Sequence, residues 1–109
     1  MLRQKAVDYF SGKEGTRLNC AQSIVAADPK NSSLTDSFVK YGGGRAPEGW
    51  CGPAYVALRF LEKRELIETE FTERAGSVKC EEIIKNGRLS CVDCVELGAE
   101  LIEKNRKSK

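Results

Sequence analysis

A stretch punctuated by glycine and proline, Gly42-Gly43-Gly44-Arg45-Ala46-Pro47-Glu48-Gly49-Trp50-Cys51-Gly52-Pro53-Ala54, interrupts the chain near its midpoint. Glycine readily takes the left-handed conformation that ends a helix, so the triple glycine closes whatever helix precedes it. Pro53 suits the first turn of a new helix, where its missing N–H costs nothing. The stretch therefore reads as a chain-reversing loop that sets one thiol, Cys51, just before a central helix. A phosphate cradle is the other use of such glycines, but the Lys-Ser/Thr that completes a P-loop is absent.

Helical spacing dominates on both sides of this loop. Leu2, Ala6, Tyr9 and Phe10 predict an amphipathic helix over about 2–11, ended by Gly12 and Gly15. Asn19 is a good N-cap for the run from Cys20 to Ala27, with Gln22 placed for a reciprocal capping box and Asp28-Pro29 as the stop. Leu34, Phe38 and Tyr41 predict a short helix over about 33–41. Ala54, Ala57, Leu58 and Leu61 form the stripe of the central helix, expected to run to about residue 64. A strand over 54–58 is the alternative there, and the charged run Arg59 to Arg64 favours helix. Thr69 to Ala75 predicts a short helix broken at Gly76. Ser77 is placed to cap another that carries Val78, Cys80, Ile83 and Ile84 and closes at Asn86-Gly87. Ser90 and Asp93 make a capping box for the last helix, whose one face holds Cys91, Cys94, Val95, Gly98, Ala99 and Ile102. Neither a repeat nor a convincing strand pattern is present. The fold class expected is all-α: one domain over residues 1–109, a bundle of about five to seven short helices.

Composition removes whole classes of function. Net charge is only +2, and the basic tail Lys104 to Lys109 is short and without aromatic partners, so nucleic acid is not an expected partner. No apolar run approaches the ~20 residues of a membrane span. MLRQKAVDYF carries Asp8 and helical spacing, unlike a signal peptide, so a cytoplasmic protein is expected. There is no histidine, which removes Cys–His nucleophile pairs, Ser–His–acid triads and mixed Cys/His zinc sites. Any metal site must rest on thiolates.

Five cysteines remain: Cys20, Cys51, Cys80, Cys91 and Cys94. In a reducing compartment thiols stay reduced unless they are catalytic, regulatory or metal-bound, and an odd count leaves one outside any disulfide framework. Cys20, Cys51 and Cys91 fall at or just before predicted helix starts, where free N–H groups and the helix dipole favour thiolate. Cys91-Val92-Asp93-Cys94 is a CxxC at a helix start, a spacing shared by disulfide oxidoreductases, zinc sites and iron–sulfur clusters. No strand precedes it, so a thioredoxin-like fold is not expected. Cys80, placed mid-helix beside Val78 and Ile84, has packing in the core as its plain alternative, as does Cys94 on its apolar stripe. Trp50 is expected in the core rather than stacked over a site.

The order of these residues resembles a family of proteins classed as redox-active and named for a C…CGAxxG…C…C pattern. The likeness spans nearly the whole chain: Tyr9-Phe10 in the first helix, Asn19-Cys20-Ala21-Gln22-Ser23, a glycine-rich run into Cys51-Gly52, Cys80-Glu81-Glu82, and Cys91-x-x-Cys94-Val95 with Ala99. Where the family has Cys-Gly-Ala-x-x-Gly, this chain has Cys51-Gly52-Pro53-Ala54-Tyr55-Val56. The resemblance thus carries over Cys51 and Gly52 as cofactor-binding positions, while valine at 56 closes the approach that a glycine would open.

Three uses of the thiols follow. The first is an electron-transfer module in which Cys20, Cys51, Cys80, Cys91 and Cys94 supply the ligands of an iron–sulfur cluster or metal, one more than a four-thiolate site needs. The second is a metal-free thiol–disulfide oxidoreductase with Cys51, Cys91 and Cys94 catalytic: Cys51 is the nucleophile, activated by its helix terminus and Arg45, and a cysteine from the 80–94 region resolves it. The third is a structural zinc site in an interaction module, although two tight CxxC knuckles are lacking. The expected partner is a redox protein or a small thiol, and a homo-oligomer fits so small a domain.

Overall fold

A computed structural model describes residues 2–12, 18–28, 30–41 and 46–106. Within them the chain forms six α-helices, α1 (Leu2–Ser11), α2 (Cys20–Ala27), α3 (Gly52–Leu61), α4 (Arg64–Ala75), α5 (Cys80–Asn86) and α6 (Cys91–Arg106). Two 3₁₀ segments, Ser32–Tyr41 and Pro47–Gly49, lie between α2 and α3. No strand occurs among the described residues; the isolated bridge between Trp50 and Lys79 is the extent of β pairing there. The all-α expectation holds. The triple glycine, Arg45, Gly15, Pro29 and the end of the basic tail lie outside the described residues.

Sixteen residues long, α6 is the axis of the bundle. Against it pack α1 and α3 most extensively, then α2. The core follows from their apolar stripes: Ala6, Ile24, Val25, Val56, Ile67, Phe71, Val95 and Ile102 are fully buried. Caps hold the helix ends where the sequence marks them. Asn19 Oδ1 accepts from the Gln22 N–H at 2.8 Å, and Gln22 Oε1 accepts from the Asn19 N–H at 3.3 Å. Ser90 and Asp93 make the corresponding exchange at the start of α6. Gly76 ends α4 with φ +90°, a conformation L side chains rarely adopt.

Four expectations are corrected. The helix over about 33–41 is 3₁₀, not α: at three residues per turn Phe38 and Tyr41 stack edge to face at 5.4 Å, while Leu34 turns out to solvent, 41% exposed. Asn19 Nδ2 and Gln22 Nε2 donate to the carbonyls of Val39 and Thr35, so the cap of α2 also anchors this segment. The central helix stops at Leu61 rather than 64, because Glu62 takes a left-handed conformation. The next helix then starts at Arg64 instead of Thr69, with Ile67, Phe71 and Ala75 buried on one stripe and Arg64 paired to Glu68 at 3.1 Å. Lastly, α5 begins at Cys80 after Lys79, and not at Val78 after a Ser77 cap. Lys79 is extended and bridged to Trp50, and the Cys51 N–H donates to the Val78 carbonyl at 2.7 Å. Ser77 Oγ accepts from the Lys79 N–H ahead of the helix.

Candidate functional site

That last shift changes the reading of the cysteines. Cys80 is not mid-helix; it is the first residue of α5. Cys20 is the first residue of α2, Cys91 the first of α6, and Cys51 the N-cap of α3. Four thiols thus stand at four helix starts, and Cys94 lies one turn inside α6. The acidic pair Glu81-Glu82 that follows Cys80 is the sequence signal for this start, since acids favour the first turn of a helix.

The four starts converge. All five cysteines line one cavity of about 220 Å³, walled by apolar residues including Phe10, Pro53, Ile83 and Leu89. Its exposed lining residues, Cys91 and Ile84, mark the open side, while Cys51 and Cys94 are only 5% and 3% exposed. Cys20 and Cys80 are half-buried, and none of the five cysteines is in a disulfide. The packing reading of Cys80 and Cys94 is therefore incomplete, because both face a void shared with the other sulfurs. Trp50 is in the core as expected, 2% exposed.

Two glycines make the convergence possible by their size. A Cβ on Gly52 would stand 2.9 Å from the Cys20 sulfur and 3.0 Å from the Tyr41 carbonyl oxygen. One on Gly98 would stand 2.9 Å from the Pro53 carbonyl oxygen. Gly98 thus lets the start of α3 press onto α6 one turn beyond Cys94, which sets Cys51 beside Cys94. Nothing in the sequence singled out Gly98 for this role beyond its place on the apolar face.

Electrostatics divide the thiols. Cys51 is raised well above the ordinary thiol value, first by its hydrogen bond to Cys94 and then by burial; the facing Ala54 N–H opposes this without prevailing. Cys94 is lowered, because the Cys51 thiol donates to its sulfur, with burial and Asp93 opposing. Burial pushes Cys80 up, helped by the charges of Cys20, Cys91 and Cys94. The expected low pKa at Cys51 is therefore reversed: desolvation and a neighbouring sulfur outweigh the helix terminus, and thiolate character in the pair passes to Cys94. Arg45, the other expected activator, lies outside the described residues.

As a donor set, five soft thiolates in an apolar enclosure suit a thiophilic metal centre. A single four-thiolate zinc ion needs its sulfurs to meet about 2.3 Å from one point. Among the described residues no three cysteine or carboxylate side chains converge in that way. In a [4Fe–4S] cluster each thiolate binds a different iron, so its donors surround a volume rather than meet at one point. Among the same residues no helix is long and apolar enough to cross a membrane. Comparison with known proteins finds no family model, no curated protein and no solved structure that matches this chain.

Proposed function

We propose that the chain is a redox module whose clustered thiolates hold an iron–sulfur cluster for electron transfer in a reducing, cytoplasmic setting. The observation that carries this is the meeting of all five cysteines, from four helix starts, at one apolar cavity. Four of Cys20, Cys51, Cys80, Cys91 and Cys94 would serve as ligands, with the apolar cavity walls limiting water on all but the side marked by Cys91 and Ile84. When bound, the cluster would supply one-electron transfer at a potential set by burial and hydrogen bonding around its sulfurs. Ionised together without a cation, these thiols oppose one another, as the mutual effects on Cys80 and Cys51 illustrate. Loading a cationic centre removes that opposition and releases protons, so affinity should rise with pH. The resemblance in cysteine order points to the same class of chemistry, and the partner would be a redox protein or small thiol. The test is to incubate the full chain anaerobically with ferrous iron and sulfide and then desalt it. Retained iron and sulfide with broad visible absorption, lost in Cys51→Ser and Cys94→Ser, are expected; a colourless product that retains only zinc would contradict the reading.

One observation favours a second reading, metal-free thiol–disulfide exchange: the buried Cys51 and Cys94, from two different helices, line the same cavity, and each shifts the other's titration in the opposite sense. In this reading Cys94 carries the thiolate and Cys51 resolves, the reverse of the roles expected from sequence.

A further inference from the structure

We propose that the chain oxidises its Cys51–Cys94 pair through an inward thiol relay that starts at Cys91 and takes a low-molecular-weight disulfide as substrate. This rests on the thiol–disulfide reading and names its route and substrate class. Accessibility sets the entry point. Cys91 is exposed at the open side of the cavity, whereas Cys94 and Cys51 are almost wholly buried, so a disulfide in solution meets Cys91 first. A small disulfide can be attacked there without entering the cavity.

Geometry sets the order. Cys91 and Cys94 are three residues apart in the first turn of α6, and such residues are neighbours on a helix surface. Pro53, two residues beyond Cys51, is pressed against Gly98, one turn beyond Cys94, so Cys51 is the next sulfur inward. The Cys91 thiolate attacks one sulfur of the substrate, forming a mixed disulfide and releasing the first thiolate. Cys94 then attacks the Cys91 sulfur and expels the second, leaving a Cys91–Cys94 bond. Cys51 attacks the Cys94 sulfur, forms Cys51–Cys94 and frees Cys91. Two protein thiols end oxidised and one substrate disulfide ends as two thiols, with the two protons passed to the departing thiolates. The last transfer is favoured by strain. Residues at this spacing on a helix hold their Cβ atoms about 5–6 Å apart, and a relaxed disulfide needs about 3.5–4.5 Å. The Cys51–Cys94 bond joins two different helices and is not held to that one-helix spacing.

The test treats the full chain, reduced, freed of metal and checked for helicity, with glutathione disulfide under argon. Timed samples are alkylated, digested and mapped by mass spectrometry. The relay predicts a Cys51–Cys94 cross-link as the end product, with Cys91 alkylated. Cys51→Ser should stop at Cys91–Cys94 or at its mixed disulfide, and Cys91→Ser should slow oxidation at least tenfold while reaching the same cross-link. Any other end product in the unaltered chain, or an unchanged rate in Cys91→Ser, overturns the relay and leaves the thiol–disulfide reading standing. No consumption of glutathione disulfide by the chain overturns both.

Discussion

The two ends of the bundle are built from the same helices to opposite specifications. Along α6 from Val95 to Ile102 the neighbouring apolar stripes pack into one buried core that includes Ile67, Phe71 and Ala6. At its start the chain instead brings four helix N-termini together around a void and lines it with sulfur. A domain of this size has little apolar surface to spare, so leaving a cavity where packing was available forgoes stability. The contrast teaches that the cysteine end is not left over from folding. Its loop is pinned by the Cys51–Val78 hydrogen bond and the Trp50–Lys79 bridge, both of which orient thiols rather than fill space.

Mutation can break this division of labour. Phe71→Ala, at the packed end, should cost about 3–5 kcal/mol in denaturant unfolding. It should leave the alkylation rates of the five cysteines unchanged while the chain stays folded; altered thiol reactivity would show that the two ends are coupled. Next in size are the glycines at the junction. Gly98→Ala forces a Cβ against Pro53 and Ile24, and Gly52→Ala forces one against Cys20 and Tyr41. Each should cost about 1–3 kcal/mol, and Gly52→Ala should also lower the iron retained per chain, since the atom it meets first is the Cys20 sulfur. Stability lost with no change in iron content would make Gly52 a packing residue alone. Asn19→Ala removes the cap of α2 and the donor to Val39, with an expected loss of about 1 kcal/mol.

The smallest effect is with pH. Cys51 and Cys80 have raised pKa values, so in the metal-free fold they keep protons that the unfolded chain releases near 9.0. Their contribution is fully present below that value and is lost as pH rises through their folded pKa. Cys94, lowered, contributes above 9.0 and loses that contribution as pH falls through its folded pKa. Above 9.0 the Cys94 contribution is already complete and only those of Cys51 and Cys80 change, so the metal-free chain should lose thermal stability above about pH 9, and Cys51→Ala should lose less. Melting curves across that range check both.

Much of this architecture is legible in local chemistry. Asn19 with Gln22, Ser90 with Asp93, and Gly76 announce helix ends that depend only on their neighbours in sequence. The 3₁₀ segment escapes such reading because its carbonyls are claimed by the side chains of Asn19 and Gln22, contacts over 20 and 13 residues that periodicity does not encode. The same holds for α5: a bridge to Trp50 delays its start and so moves Cys80 from mid-helix to a helix N-terminus. Three thiols with helix-start placement, Cys20, Cys51 and Cys91, were readable one by one. Their common cavity was not, because it depends on Gly52 and Gly98 allowing contacts between segments far apart in the chain. Nor was the pKa order of Cys51 and Cys94, which is set by burial and by each other rather than by the helix each begins.

The most direct test of the central claim is an absorption spectrum of the anaerobically isolated full chain, with iron, sulfide and zinc measured on the same sample. Broad visible absorption with several irons and sulfides per chain is the predicted result. A colourless protein that contains neither iron nor sulfide would contradict it.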